Sequence, residues 1–277
     1  MLQGVSDNQR LENQFLDNQR FGNQLLHSPL QPLDFINAMH RSFEDSLDKL
    51  RTRLIRMGSI VEEQVEFALR AVLEGNQEVA RLVMDRDDKV DKLDMKIDKQ
   101  CQKIFALHQP VASDLRLLLA ALKINNELER TGDLAYNVAR NLIEQPSLPV
   151  IAKKMDLQRL TTGVHAMVKG SLDAFVNNDP ELAYQIMRTD NQIDTMTKEI
   201  FDLTVAYMKT DASVIDASVG LLMVLRNLER MADQATNVCE NVIFLVEAKL
   251  VKMIPMQGVE GFGAGIDIEK DDEDGKE

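Results

Sequence analysis

One stretch of this chain occurs twice. Leu-Glu-Arg-x-x-Asp-x-Ala-x-Asn-Val runs from Leu128 to Val138 and again from Leu228 to Val238, with seven of eleven positions identical at an offset of 100. The segment before each copy matches too. Asp87-Asp88-Lys89-Val90-Asp91 parallels Asp190-Asn191-Gln192-Ile193-Asp194 at an offset of 103, and Ile97 parallels Ile200. A chain built by tandem duplication folds as two similar units, each burying the same face. Any fold assigned to it must therefore be spelled twice.

The spelling is helical. In the first copy, apolar residues at Leu117, Ala121, Ile124, Leu128, Thr131, Ala135, Val138 and Leu142 step by three and four. The second copy repeats the seam with Ala217, Leu221, Val224, Leu228, Met231, Ala235, Val238 and Val242. That period is one face of an α-helix packed in a bundle. Composition agrees. Trp is absent and aromatics are 5%, so the core is aliphatic, and 13 Gly with 7 Pro punctuate too little for a many-stranded fold.

Six helical segments follow from the spacing and its punctuation. The first is expected from about Phe43 to Glu74, on Leu47, Leu50, Leu54, Met57, Val61, Ala68 and Val72, and Gly75 and Asn76 end it. The second runs from about Gln77 to His108, before Pro110. The third runs from Ser113, read as a capping residue, to Glu144, before Pro146. The fourth runs from about Met155 to Asn177. The fifth opens at Asp179-Pro180 and reaches about Lys209, and the sixth spans about Ser213 to Ala248. The expected fold is all-α: two tandem three-helix bundles related by pseudo-two-fold symmetry, over residues 41–147 and 150–250. Residues 1–40, rich in Asn and Gln with Asp-Asn-Gln-Arg at Asp7 and Asp17, read as a weakly ordered extension. Residues 251–277 read as an acidic disordered tail.

Charge narrows the partners. The formal net charge is −13, of which 267–277 carries −5 from seven acids and two lysines, leaving −8 elsewhere. Nucleic acid and anionic lipid attract basic surfaces, so neither is expected as a partner. No apolar run approaches the roughly 20 residues that cross a bilayer, so no direct membrane insertion is expected. The first residues lack a secretory pattern, so the protein is expected to be cytoplasmic. Cys101 and Cys239 fall on apolar faces and read as reduced core residues.

The repeated motif also carries chemistry. Glu129, Asp133 and Asn137 step by four, as do Glu229, Asp233 and Asn237. Glu129 and Glu229 each follow a seam residue and lie about 100° round the helix from it. On the preceding helices stand Asp87 with Asp91, and Asp190 with Asp194. If these strips face one another, each bundle gathers four carboxylates and an amide. Carboxylates at close range repel unless a cation compensates. Hard oxygen donors suit Mg, Mn, Ca or Fe. The competing reading is a solvated face laced by i,i+4 ion pairs to Arg130, Arg230, Lys89 or Lys92. The acids recur in both copies while neighbours such as Thr131/Met231 and Tyr136/Thr236 do not, which favours the cation site. No phosphate-binding glycine loop or hydrolase elbow is present, and His27, His40, His108 and His165 are scattered, so no catalytic constellation is visible. The remaining classes are a metal-dependent phosphohydrolase or oxidase and a metal-storage protein on the same scaffold.

Gln109-Pro110-Val111-Ala112-Ser113-Asp114-Leu115-Arg116, then Leu122-Lys123-Ile124, then Glu127-Leu128-Glu129-Arg130-Thr131-Gly132-Asp133, resembles the signature stretch of the PhoU family. Asn227-Leu228-Glu229-Arg230-Met231-Ala232-Asp233-Gln234-Ala235-Thr236-Asn237 resembles that family's second repeat, and the likeness covers about 41–250. It implies two three-helix bundles side by side. It implies metal held at Glu/Asp-x-x-x-Asp motifs, here Asp87/Asp91 with Glu129/Asp133 and Asp190/Asp194 with Glu229/Asp233. The ion would be divalent or trivalent, among Fe, Mn, Mg or Zn. The resemblance further implies a non-enzymatic negative regulator of phosphate uptake and phosphate-starvation signalling. Its partners would be the ATPase or permease of a phosphate ABC transporter, a sensor histidine kinase, and further copies of itself in a homodimer or higher oligomer. The N-terminal extension and acidic tail exceed what the family core needs.

Overall fold

Helix ends in this chain are set by short local signals. A computed structural model describes residues 32–255 and 264–268, with side chains from 41 to 252. Helix α1, Pro32–Glu74, ends at Gly75, whose φ of 71° is open to glycine at no steric cost. Asn76 then caps α2, Gln77–His108, its side chain accepting from the backbone N–H groups of Glu78 and Val79 at 3.1 and 3.2 Å. Helix α3 is Ser113–Glu144. Ser113 is its first helical residue, and the preceding Ala112 sits at φ 46° with no side-chain cap, so the expected serine cap is not formed. A short α4, Leu148–Lys154, with proline in its first turn, precedes α5, Leu157–Asn177. Asp179 caps α6, Pro180–Met208, accepting from Leu182 N–H at 3.0 Å. A 3-10 turn, Ala212–Val214, leads into α7, Ile215–Glu247.

The six expected helices are all present. The first starts earlier than expected, at Pro32, because proline at a first helical position loses no hydrogen bond and its φ suits the helix. The fourth is α5, and the short α4 before it lies where no helix was expected. Where the acidic tail is expected, β1, Val251–Pro255, pairs antiparallel with β2, Ala264–Ile268, with Val251 opposite Ile268. Val251, Ile254, Ile266 and Ile268 are β-branched residues that suit a strand. The other residues of that tail, and the extension before Pro32, lie outside the described residues.

The chain divides into two units, 1–47 and 48–277. Both bundles lie within the second. In the first bundle α1, α2 and α3 run up and down: Gln64 meets Asp87, Arg53 meets Gln100, and Asn125 meets Asp94. In the second, α5 packs on α6 and both pack on α7. Helices α3 and α7 lie antiparallel along each other and join the bundles, with Asn237 beside Glu127 and Gly220 beside Gln145.

That central placement explains their sequences. The seam from Ala121 to Leu142 is buried, as is the whole α7 seam from Ala217 to Val242. A second set, Leu118, Ala120, Leu134 and Ala139 on α3 with Leu225, Ala232, Cys239 and Ile243 on α7, is buried as well. A helix apolar on two faces cannot lie at the surface of a bundle. Both cysteines are buried and free, and burial pushes Cys101 up to about 12, so they are thiols of the core. Leu228, fully buried in this pair, tests the packing. Leu228→Ala should lower unfolding free energy by about 2–5 kcal/mol in urea denaturation. A loss below about 1 kcal/mol would contradict a close-packed α3–α7 seam.

Candidate functional site

The acidic residues of each copy meet across adjacent helices. In the first bundle α2 carries Asp87 and Asp91, and α3 carries Glu129 and Asp133. Desolvation raises the Asp87 carboxyl, the Gln64 hydrogen bond opposes this, and Asp133 and Asp91 push it further up. Glu129 is raised by desolvation and by Asp133, Asp94 and Asp91, with Arg130 opposing. Asp133 is raised by desolvation and then by Asp91. These groups feel one another, so the two strips do face. Gly132 shows how close the helices come: a Cβ there would stand 3.4 Å from Val90 Cγ1 and 3.7 Å from Asp87 Oδ1. Those are ordinary contact distances, so the second copy carries Ala232 without strain.

The second bundle repeats the arrangement with one acid buried more deeply. Asp190 on α6 is 8% exposed. Burial, then Asp194 and Asp233, push its carboxyl up to about 7, with Thr236 opposing and Glu229 adding. Asp233 on α7 is pushed up to about 6 by burial, Asp194 and Glu229, against Arg230. Asp194 is raised by burial, and Glu229 by burial and Asp194 with Arg226 opposing. Asp190 Oδ1 is enclosed with no hydrogen-bond partner, and Thr236 Oγ1 lies alongside without completing one.

The amides divide. Asn137 is half-buried one turn past Asp133, and its carbonyl accepts from Asn141 at 3.0 Å. Asn237 repeats that bond with Asn241 at 2.7 Å, but its own side chain donates to Glu127 of the first bundle at 3.2 Å. Asn237 thus reaches across the bundle interface toward α3.

Of the solvated-face reading, the ion pairs are not formed, although Asp91, Asp133, Glu229 and Asp233 do face water. Lys92 pairs with Asp88 at 3.5 Å, and among the described residues none of Asp87, Asp91, Glu129, Asp133, Asp190, Asp194, Glu229 or Asp233 is held in an ion pair. Nor are any three His, Cys, Asp or Glu side chains among the described residues already gathered to hold one ion. The donor set fits a hard cation through carboxylate oxygens alone, and the orphaned Asp190 oxygen is a lone pair in search of one.

Further residues join the first strip. Asn125, 1% exposed, donates to Asp94 Oδ1 at 2.6 Å and to Asp98 Oδ1 at 3.2 Å. Gln64, fully buried on α1, donates to Asp87 Oδ1 at 3.1 Å. Asp94 and Asp98 were legible as a 4-3-4 continuation from Asp87 and Asp91. Gln64 and Asn125 carry no such signal.

A PhoU domain matches residues 54–142 and a second matches residues 157–242. The chain belongs to the PhoU family. It is 32% identical over 212 residues to a phosphate-specific transport system accessory protein PhoU homolog of Clostridium acetobutylicum, covering 76% of this chain and 97% of that one. It is 35% identical over 217 residues to the homolog of Pseudomonas aeruginosa, covering 77% and 89%. The crystal structure of PhoU from Pseudomonas aeruginosa superposes with a TM-score of 0.70 at 34% identity, over 74% of this chain and 99% of that one. PhoU from Streptococcus pneumoniae gives 0.68 at 25%, over 76% and 100%. The duplicated PhoU bundle is thus the fold expected from the repeat. Among the described residues no helix is long and apolar enough to cross a membrane.

The raised carboxyls fix a pH dependence. Asp190 ionises near 3.8 when unfolded and near 7 when folded, so the folded state holds the extra proton between those values. Stability of the metal-free protein is therefore full below about pH 4 for this group and falls as pH rises toward 7. Asp194, Asp233 and Glu229, which face Asp190, act in the same direction. Metal-free protein should melt about 5 °C higher at pH 5.5 than at pH 8, and Asp190→Asn should shrink that difference. Equal melting temperatures at both pH values would rule out a repulsive buried cluster.

Proposed function

We propose that this chain is a non-enzymatic cytoplasmic adaptor that restrains phosphate uptake and phosphate-starvation signalling. Its partners are the ATPase or permease of a phosphate ABC transporter and a sensor histidine kinase. Hard cations bound along the two acidic strips brace the helical faces it presents to them. The observation that carries the reading is the pair of facing strips, duplicated in a chain whose relatives are named as accessory proteins of the phosphate-specific transport system.

The scaffold suits such a role. Adaptors act by binding one conformational state of a partner better than another, which shifts the partner's equilibrium. Rigid helical faces do this at little ordering cost. A cation bridging α2 to α3, or α6 to α7, would tie two helices of a face together. The strips contain no histidine or cysteine and only acids, amides and hydroxyls, a donor set suited to holding a cation. The ion would be Fe, Mn, Mg or Zn, and oxygen donors favour the harder members of that set. Copies of the chain assemble into a dimer or larger oligomer.

Affinity capture of the full chain from phosphate-replete cells, after mild crosslinking, should recover the transporter ATPase and the kinase. Cells lacking the chain should express phosphate-starvation genes in rich phosphate, by roughly tenfold or more over the parent. Recovery of neither partner, with expression unchanged, would contradict the adaptor.

A further inference from the structure

The two strips match in four acids and differ in several of the polar residues that attend them. In the first bundle two buried amides attend the carboxylates: Gln64 on Asp87, and Asn125 on Asp94 and Asp98. At the corresponding places in the second bundle stand Met167 for Gln64, Leu225 for Asn125, Thr197 for Asp94 and Phe201 for Asp98. The second strip has thus lost its amide donors and two acids, and apolar or hydroxyl groups have replaced them. What remains leaves carboxylate and hydroxyl oxygens unmet, whereas the orphaned oxygens of the first strip, Gln64 Oε1 and Asn125 Oδ1, belong to its amides. Asp190 is 8% exposed, Thr197 7% and Thr236 5%, and each keeps an enclosed oxygen with no hydrogen-bond partner. Each strip keeps two acids open to water, Asp91 and Asp133 in the first and Glu229 and Asp233 in the second, but only the second has a buried one, Asp190, and only the first runs on to Asp94 and Asp98.

We propose that the two strips hold cations differently: the second, around Asp190, keeps one resident ion on which its bundle depends, and the first, around Asp87, takes cations reversibly.

The inference rests on the cation reading given above and divides the labour between the two strips. A cation entering the second strip meets, at Asp190, a carboxylate oxygen already out of water and without a hydrogen bond. It has little to displace, and its attraction is weakly screened. A cation entering the first strip must compete with Gln64 for Asp87, with Asn125 for Asp94 and Asp98, and with water for Asp91 and Asp133. More charge is gathered there, so more than one ion can enter, but each is held less firmly. Ligand count and rigidity tune such affinities over orders of magnitude on one scaffold. The arrangement gives a structural ion in one bundle and a sensing or exchanging position in the other.

Mn2+ titration of the metal-free full chain, with free Mn2+ read by electron paramagnetic resonance, tests the division. The wild type should show a tight class and a weaker class separated by at least about tenfold. Asp190→Asn should abolish the tight class and leave the weak one, and its metal-free melting temperature at pH 8 should be no lower than wild type, which establishes that it folds. Asp87→Asn should do the reverse, and Gln64→Met, which gives the first strip the second strip's residue, should tighten the weak class. A single class of sites, or loss of the tight class in Asp87→Asn with its retention in Asp190→Asn, would overturn the proposal. No saturable Mn2+ binding by the wild type would reject the cation reading itself, a different failure from a reversed order of affinities.

Discussion

Like charges held near one another by helix packing are the constraint around which the rest of this structure is organised. The acids on α2 and α3, and on α6 and α7, cannot move apart, because the seams beside them are buried and close-packed. Leu128 and Leu228 fix where Glu129 and Glu229 stand, and Val90 and Ile193 do the same for Asp87 and Asp190. The apolar core thereby sets the spacing of a polar cluster that would disperse in an unfolded chain. The cluster in turn resists the packing, most where water is least available. Asp190 shows this tension best: it is buried, flanked by acids, and has an oxygen with no partner.

Duplication turned one bundle into two and gave each a different neighbour. Helices α3 and α7, equivalent in the repeat, became the joint between bundles, which is why both are apolar on two faces. The joint is not symmetric in detail. Asn237 donates to Glu127 across it, whereas Asn227, the residue equivalent to Glu127, donates to Met223 of its own helix. Once the two copies had separate surroundings, their supporting residues could diverge while the acids stayed.

Much of this was legible in the sequence, for identifiable reasons. The seam spacing gave the helices, and the offsets of 100 and 103 gave two copies. The four-residue steps of Glu129 and Asp133, and of Asp87 and Asp91, placed acids on strips. What could not be read was which side chains from elsewhere would meet those strips. Gln64 lies 23 residues from Asp87, and its role exists only once α1 packs on α2. Asn125 looked like one more polar residue of α3 until α2 brought Asp94 and Asp98 beside it. Asn237 lay in register with the acids, yet tertiary packing directed its amide to the other bundle. The Ser113 cap is not formed because the helix begins at Ser113 itself, which leaves the cap position to Ala112, a residue with no side-chain acceptor. Periodicity reports the face a residue occupies, and contact between elements decides what it touches.

The central claim is that the facing carboxylates of each bundle are a place for a cation. An anomalous difference map from crystals of the full chain grown with Mn2+ tests it most directly. Peaks are predicted between α2 and α3 near Asp87 and Glu129, and between α6 and α7 near Asp190 and Asp233. Well-ordered carboxylates at both places, with no anomalous density between them, would contradict the account.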